Sequence, residues 1–138
     1  MRTTFDNPAA VPPPVGQYSH VARLDLGTGS LLFLSGQVAL DSDGKLVGEG
    51  DMAEQSRYVF ETIGGILAAH GAGFDNVINI RSYLTDMELL PEYAAVRRRY
   101  LTGEPPTSTT VGVTRLVRPG LLLEVEVVAA VSSAPRAD

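Results

Sequence analysis

The chain has 138 residues, 44% hydrophobic and 20% charged, the make-up of a soluble globular protein long enough to bury a core as a single domain over 1–138. A formal charge of −5 and a pI near 4.9 argue against nucleic acid as a partner, because phosphate binding needs a basic surface. There is no cysteine, His20 and His70 are far apart in sequence, and no apolar run approaches the about 20 residues of a membrane helix or forms a secretory leader, so the expectation is a cytoplasmic protein with no membrane partner, no intrinsic metal and no cofactor.

Residues 1–15 are rich in proline and predict an extended N-terminal arm, since proline supplies no ladder donor. "YSHVARLDL" and "LLFLSGQVAL", separated by "GTGS", predict a hairpin, and "DSDGKLV" a second turn at Asp43-Gly44 with a short third strand. The period then changes. Val59, Ile63, Ile66 and His70 recur at helical spacing, with Asp51 as N-cap and Glu54 in a capping-box position. Gly71 and Gly73 are expected to stop this helix in left-handed conformations. Gly64-Gly65 inside it costs about 1 kcal/mol per glycine relative to alanine, which predicts close approach of the helix to a sheet.

"NVINIRSYLTDM" reads as a strand and "ELLPEYAAVRRRYL" as a second helix with Pro91 in its first turn. "STTVGVTRLV" and "LLLEVEVVAAV" flank "RPGL", whose Pro119-Gly120 fits a type II turn and predicts a closing hairpin. Residues 132–138 are expected to fray. The order β-β-β-α-β-α-β-β predicts an α+β fold, a six-stranded sheet with two helices covering one face. In the last strand Leu121, Leu123, Val125, Val127, Ala129 and Val131 share the helix-facing side, and Leu122, Glu124, Glu126, Val128 and Ala130 the other. Side-chain parity sets Val111 and Val113 apart from Ser108, Thr110, Gly112 and Thr114, and the second group is grouped with the glutamates. Such a mixed face is too polar for a core and too apolar for open surface, which points to an oligomer interface with polar pockets.

The run Thr107-Ser108-Thr109-Thr110 lacks a nucleophile elbow and reads as structural hydroxyls on a β-branched strand. His20 reads as a half-exposed strand residue and His70 as a cation at a helix C-terminus. Arg97-Arg98-Arg99 reads as a salt-bridged or solvated face rather than an RNA contact, and no glycine spacing makes a phosphate loop. Glu124 and Glu126 are the more informative pair. In apolar surroundings a carboxylate has a raised pKa and can hold or activate water; the alternative is a salt bridge to Arg115 or Arg81.

The element order, "LFLSGQVAL", "YLTDM" before the second helix and "VGVTRL…LEVEVVAAV" resemble the Rid family (YjgF-type, also labelled endoribonuclease L-PSP) over residues 15–131. The resemblance implies a chorismate-mutase-like subunit that forms a homotrimer with small-molecule clefts between subunits. Active members hydrolyse reactive imines and enamines, as 2-iminobutanoate/2-iminopropanoate deaminases do, without metal or cofactor. Carried over by position, Glu126 matches the water-holding glutamate and Tyr18 the cleft tyrosine. Ser35 and Gly36 match the cleft-lining segment, and Ser108 and Thr110 the strand that forms the other wall. Ser108 stands where deaminating members carry the arginine that anchors a substrate carboxylate, and Ala94 stands nearest the place of a cleft asparagine. The expectation is therefore altered specificity, for an imine or related electrophile without a carboxylate, unless Arg81 or another arginine replaces the anchor. The alternative readings are a non-catalytic metabolite-binding trimer and an RNA-directed endoribonuclease or translation inhibitor, the last opposed by the charge balance.

Overall fold

The computed structural model describes residues 1–133. Strands β1 (Arg2–Asp6), β2 (Val21–Asp25), β3 (Gly29–Leu34), β4 (Gln37–Val38), β5 (Val77–Leu84), β6 (Thr107–Gly112) and β7 (Leu123–Ser132) make one sheet in the order β1-β2-β3-β7-β5-β6, with β4 also paired to β7. β5 and β6 run parallel and the other pairs antiparallel. Helices α1 (Met52–Ala69) and α2 (Leu90–Tyr100) cover one face, so the α+β architecture is as predicted. The sheet has seven strands rather than the expected six, and the segment read as one strand over "LLFLSGQVAL" is split into β3 and β4. The arm contributes β1, which pairs along β2, and the expected third strand is reduced to a single bridge between Leu40 and Leu46.

Alternation in β7 works as its sequence implies. Leu123, Val125, Val127 and Ala129 are buried under the helices, and Glu124, Glu126, Val128 and Ala130 stand half-buried on the other side. The core continues through Leu32, Phe60, Ile63, Leu67, Ile80 and Tyr93, all fully buried. Each such side chain contributes about 1.5–3 kcal/mol over its exposed state. α1 starts where Asp51 accepts a hydrogen bond from the Glu54 N–H at 3.0 Å. The Glu54 carboxylate turns to Arg57 instead of returning to the cap, so half of the capping box forms. Gly71 ends the helix at φ 72°, whereas Gly73 is extended at φ −141° and needs no glycine for its backbone. The glycine pair inside α1 does admit close neighbours, but these are Phe74 at Gly64 and Val11 of the arm at Gly65, not the sheet.

The predicted closing hairpin is absent. The turn forms, with Gly120 at φ 86° and the Leu121 N–H directed to Arg118 O, but β6 pairs with β5. Both edges of β7 are already taken, by β3 and β4 on one side and β5 on the other, so β6 can join the sheet only at the outer edge of β5. This exchange changes which face the hydroxyl run presents. The tail also starts later than expected: Ser132 closes β7, and Ser133 donates its N–H to Thr28 O. Positions 134–138 lie outside the described residues.

Candidate functional site

On the helix-free face, antiparallel pairing sets Glu126 opposite Arg81 and Glu124 opposite Tyr83. The Tyr83 hydroxyl donates to Glu126 Oε1 at 2.5 Å, which fixes one carboxylate oxygen. That bond, followed by burial, holds the Tyr83 phenol above its usual pKa. No ion pair between Arg81 and Glu126 forms within 4.0 Å among the described residues. Glu124 is pushed up from the ordinary carboxylate range, mainly by burial and then by the Glu126 charge beside it.

Glu124 and Glu126 form one wall of a cavity of about 390 Å³, with Tyr18, Ser35, Gly36, Val15, Val38 and Val117 around it. Gly36 lies close to the end of the Glu124 side chain. A β-carbon there would fall 2.7 Å from the Glu124 carboxyl carbon, so any other residue would displace that side chain. Tyr18 comes from the loop after the proline-rich arm, and its hydroxyl accepts the Val15 N–H at 3.3 Å. Ser35 is held by its Oγ, which donates to Ser19 O at 2.6 Å.

A buried network ties these two segments together. His20 is 3% exposed, contrary to its reading as a half-exposed strand residue, because the arm folds over it. Its Nε2 lies 2.6 Å from Pro12 O, a carbonyl that can only accept, so the proton is on Nε2. Nδ1 then accepts from Gln37 Nε2 at 3.1 Å, and the same amide donates to Ser35 O. The His20 N–H donates to Asn7 Oδ1 at 2.8 Å. His70, at the end of α1, meets Asp6 Oδ2 at 2.9 Å and so pins β1 to the helix. Among the described residues no cluster of three or more His, Asp and Glu is placed to hold a metal.

Four of the six sequence-predicted site residues, Tyr18, Ser35, Gly36 and Glu126, therefore meet at one cavity. Ser108 and Thr110 do not. Parallel pairing sets Ser108 beside Ile80 and Thr110 beside Ser82, both buried residues of the helix side. It is Thr107, Thr109 and Val111 that share the glutamate face, opposite Asn79, Arg81 and Tyr83. Grouping Ser108 and Thr110 with the glutamates is thus corrected. Parity within a strand is legible in sequence, but its phase relative to a non-local neighbour is set only by pairing.

A second cavity, of about 300 Å³, opens between α2 and the start of β6. Leu90, Ala94, Leu101, Pro105 and Pro106 form its apolar wall, beside Tyr93, Thr110 and two arginines. Arg97 Nη2 donates to Ser108 Oγ at 3.0 Å, and its guanidinium carbon lies 6.0 Å from the Tyr93 ring centre. Arg98 and Arg99 are exposed, as expected of a solvated face; Arg97 is not part of that face. The spacing Leu90, Ala94, Arg97, Leu101 is the stripe on α2 that would have identified it. Tyr83 was the other residue missed, since only pairing brings its hydroxyl to Glu126.

The family model described as Endoribonuclease L-PSP matches residues 9–131. Protein DfrA from Myxococcus xanthus is 36% identical over 118 residues, which cover 86% of this chain and 88% of that protein. The RutC family protein YjgH from Escherichia coli is 35% identical over 122 residues, covering 84% and 90%. Among solved structures, YEO7 from yeast aligns with a TM-score of 0.84 at 29% identity, covering 94% of this chain and 98% of that one. YyfA from Yersinia pestis, a Rid family protein, aligns with a TM-score of 0.83 at 27% identity, covering 94% and 100%.

Proposed function

The chain belongs to the endoribonuclease L-PSP family, whose members also carry the names RutC, YjgF and Rid, and from that premise we propose that it hydrolyses a reactive imine or enamine in clefts between the subunits of a homotrimer. Glu126 is the residue that acts on water. As water adds to the imine carbon, the new C–O bond forms, the C=N π electrons move to nitrogen, and Glu126 accepts the water proton. Returned to nitrogen, that proton completes the carbinolamine; transfer of its hydroxyl proton to nitrogen, again through Glu126, then breaks the C–N bond and releases ammonia as the carbonyl forms. Tyr18, Ser35 and Gly36 shape the cavity that holds the electrophile. Where deaminating members carry a strand arginine stands Ser108, which accepts a hydrogen bond from Arg97 at 3.0 Å.

The observation that carries this reading is the pairing of a fixed and a free oxygen on one carboxylate. Tyr83 engages Glu126 Oε1, and among the described residues no hydrogen bond engages Oε2, beside a cavity sized for a small molecule. The open sheet face supports the assembly, since Phe33 is 45% exposed and Val111, Ile78 and Val117 are also uncovered. The formal net charge of −5 disfavours RNA as substrate. A semicarbazide-trapping assay of imine decay tests the proposal with wild type and Glu126→Gln. Loss of turnover in the variant supports it. Equal decay with both proteins would sink it, and metabolite binding without turnover would leave a binding trimer. Sedimentation tests the assembly: a stable monomer removes the intersubunit cleft.

A further inference from the structure

Glu126 has two neighbours on β5 that could engage its carboxylate, and it takes the more distant in register. Antiparallel pairing sets Arg81 directly opposite it, the place from which opposite charges pair across strands. Tyr83 stands opposite Glu124 and reaches Glu126 only along the diagonal. Even so, the Tyr83 hydroxyl donates to Glu126 Oε1 at 2.5 Å, and no ion pair between Arg81 and Glu126 forms within 4.0 Å among the described residues. Space does not prevent that ion pair. A cavity of about 200 Å³ is lined by Arg81 and Glu126 together with Phe33, Asn79 and Val128, so the path from one charge to the other is open. The remaining ionisable groups near Glu126 are Glu124 on its own strand and Tyr18 across the larger cavity, and neither is a cation.

We infer that Tyr83 is a positioning residue, whose hydroxyl holds the Glu126 carboxylate toward the cavity of Tyr18 and Ser35 and withholds it from Arg81. The inference rests on the proposed hydrolysis for its catalytic consequence, whereas the competition of Tyr83 and Arg81 for one carboxylate stands on geometry alone. The two partners would leave Glu126 with different chemistry. A guanidinium engages both carboxylate oxygens with its planar fork, leaving neither free to take a proton from water. Its charge also favours the anion, which makes the carboxylate a weaker base. A phenol carries no charge and has one hydrogen to donate, so the second oxygen stays open. The Tyr83 phenol is held above its usual pKa, first by this bond and then by burial, so it remains a donor at neutral and mildly alkaline pH. Tyr83 thus forgoes an ion pair in the sheet and preserves a base.

Steady-state hydrolysis of 2-iminobutanoate by the full chain tests this with Tyr83→Phe, Arg81→Gln and the two combined. Tyr83→Phe keeps the ring and removes only the donor, and kcat is expected to fall at least about tenfold while KM stays within about twofold. Arg81→Gln alone leaves kcat unchanged. Added to Tyr83→Phe, it removes the competing cation and restores most of the lost turnover, a rescue that a merely structural tyrosine would not show. An undiminished kcat in Tyr83→Phe, a loss that Arg81→Gln does not relieve, or a rise in KM that accounts for the whole effect would overturn the inference. A crystal structure of Tyr83→Phe gives a reading independent of activity: the Glu126 carboxylate should swing into an ion pair with Arg81, and a carboxylate that stays in place overturns the inference. The two proposals fail separately. Full turnover in Glu126→Gln removes the hydrolytic role of Glu126, and the swing in Tyr83→Phe still supports the competition. An inactive Glu126→Gln beside a fully active Tyr83→Phe removes the positioning role alone.

Discussion

The two cavities differ in charge, in face and in how they are built. The Glu126 cavity is acidic, lies on the helix-free side, and is assembled from segments clamped by the buried His20–Gln37 network. The Arg97 cavity is basic and apolar, lies under α2, and depends on one hydrogen bond from helix to strand. Neither combines a carboxylate with an unpaired cation. Arg97 and Glu126 stand on opposite faces of one sheet and cannot neutralise each other within the chain, while Arg81 shares the face of Glu126 without forming an ion pair within 4.0 Å among the described residues. Each then remains available to a ligand or to a second copy.

The largest effect expected from breaking this contrast is at Glu126. Glu126→Gln keeps the shape and the acceptor for Tyr83 but removes the base, and turnover in the trapping assay should fall about a hundredfold or more. Next is the clamp. Gln37→Leu leaves His20 Nδ1 and Ser35 O without their donor, at a cost of about 1–3 kcal/mol. Denaturant unfolding should show that loss, and an unchanged midpoint would mean that the network does not clamp the cavity.

Gly36→Ala sharpens the acidic side alone. The new β-carbon pushes the flexible end of Glu124 aside, so hydrolysis in the trapping assay should change while stability in denaturant falls by about 1 kcal/mol or less. The smallest effect is in pH dependence. Glu124 has a folded-state pKa above its ordinary 4.5, so over that interval the folded protein binds more protons than the unfolded chain. Its relative contribution to stability is complete below about 4.5 and is lost as pH rises through the raised value. Glu124→Gln should therefore melt higher than wild type near neutral pH, and the gap should close on acidification. A gap that widened at low pH would show that Glu124 is stabilised as the anion.

Much of the fold and part of the site were legible in the residues. β7 announced both of its faces because strand side chains alternate strictly, so Glu124 and Glu126 could be separated from the aliphatic side without a structure. Asp51 announced the start of α1 because an N-cap is a local bond between neighbours in sequence. The resemblance added Tyr18, Ser35 and Gly36, and these do meet Glu126 at one cavity. Burial of His20 was not legible, since it depends on Pro12 and Gln37 arriving from separate segments.

The sequence by itself determined what each strand and helix could present: an alternating acidic face on β7, a hydroxyl run on β6, and an arginine in an apolar stripe on α2. Tertiary structure alone decided which of these meet. A turn at Pro119-Gly120 is as compatible with a hairpin as with a longer excursion, and the choice came from β3, β4 and β5 occupying both edges of β7. Sent to the outer edge of β5, β6 turned Ser108 toward α2 and away from the glutamates. Periodicity is a property of one element, whereas register and phase belong to pairs, and the bond from Arg97 to Ser108 exists only because such a pair formed.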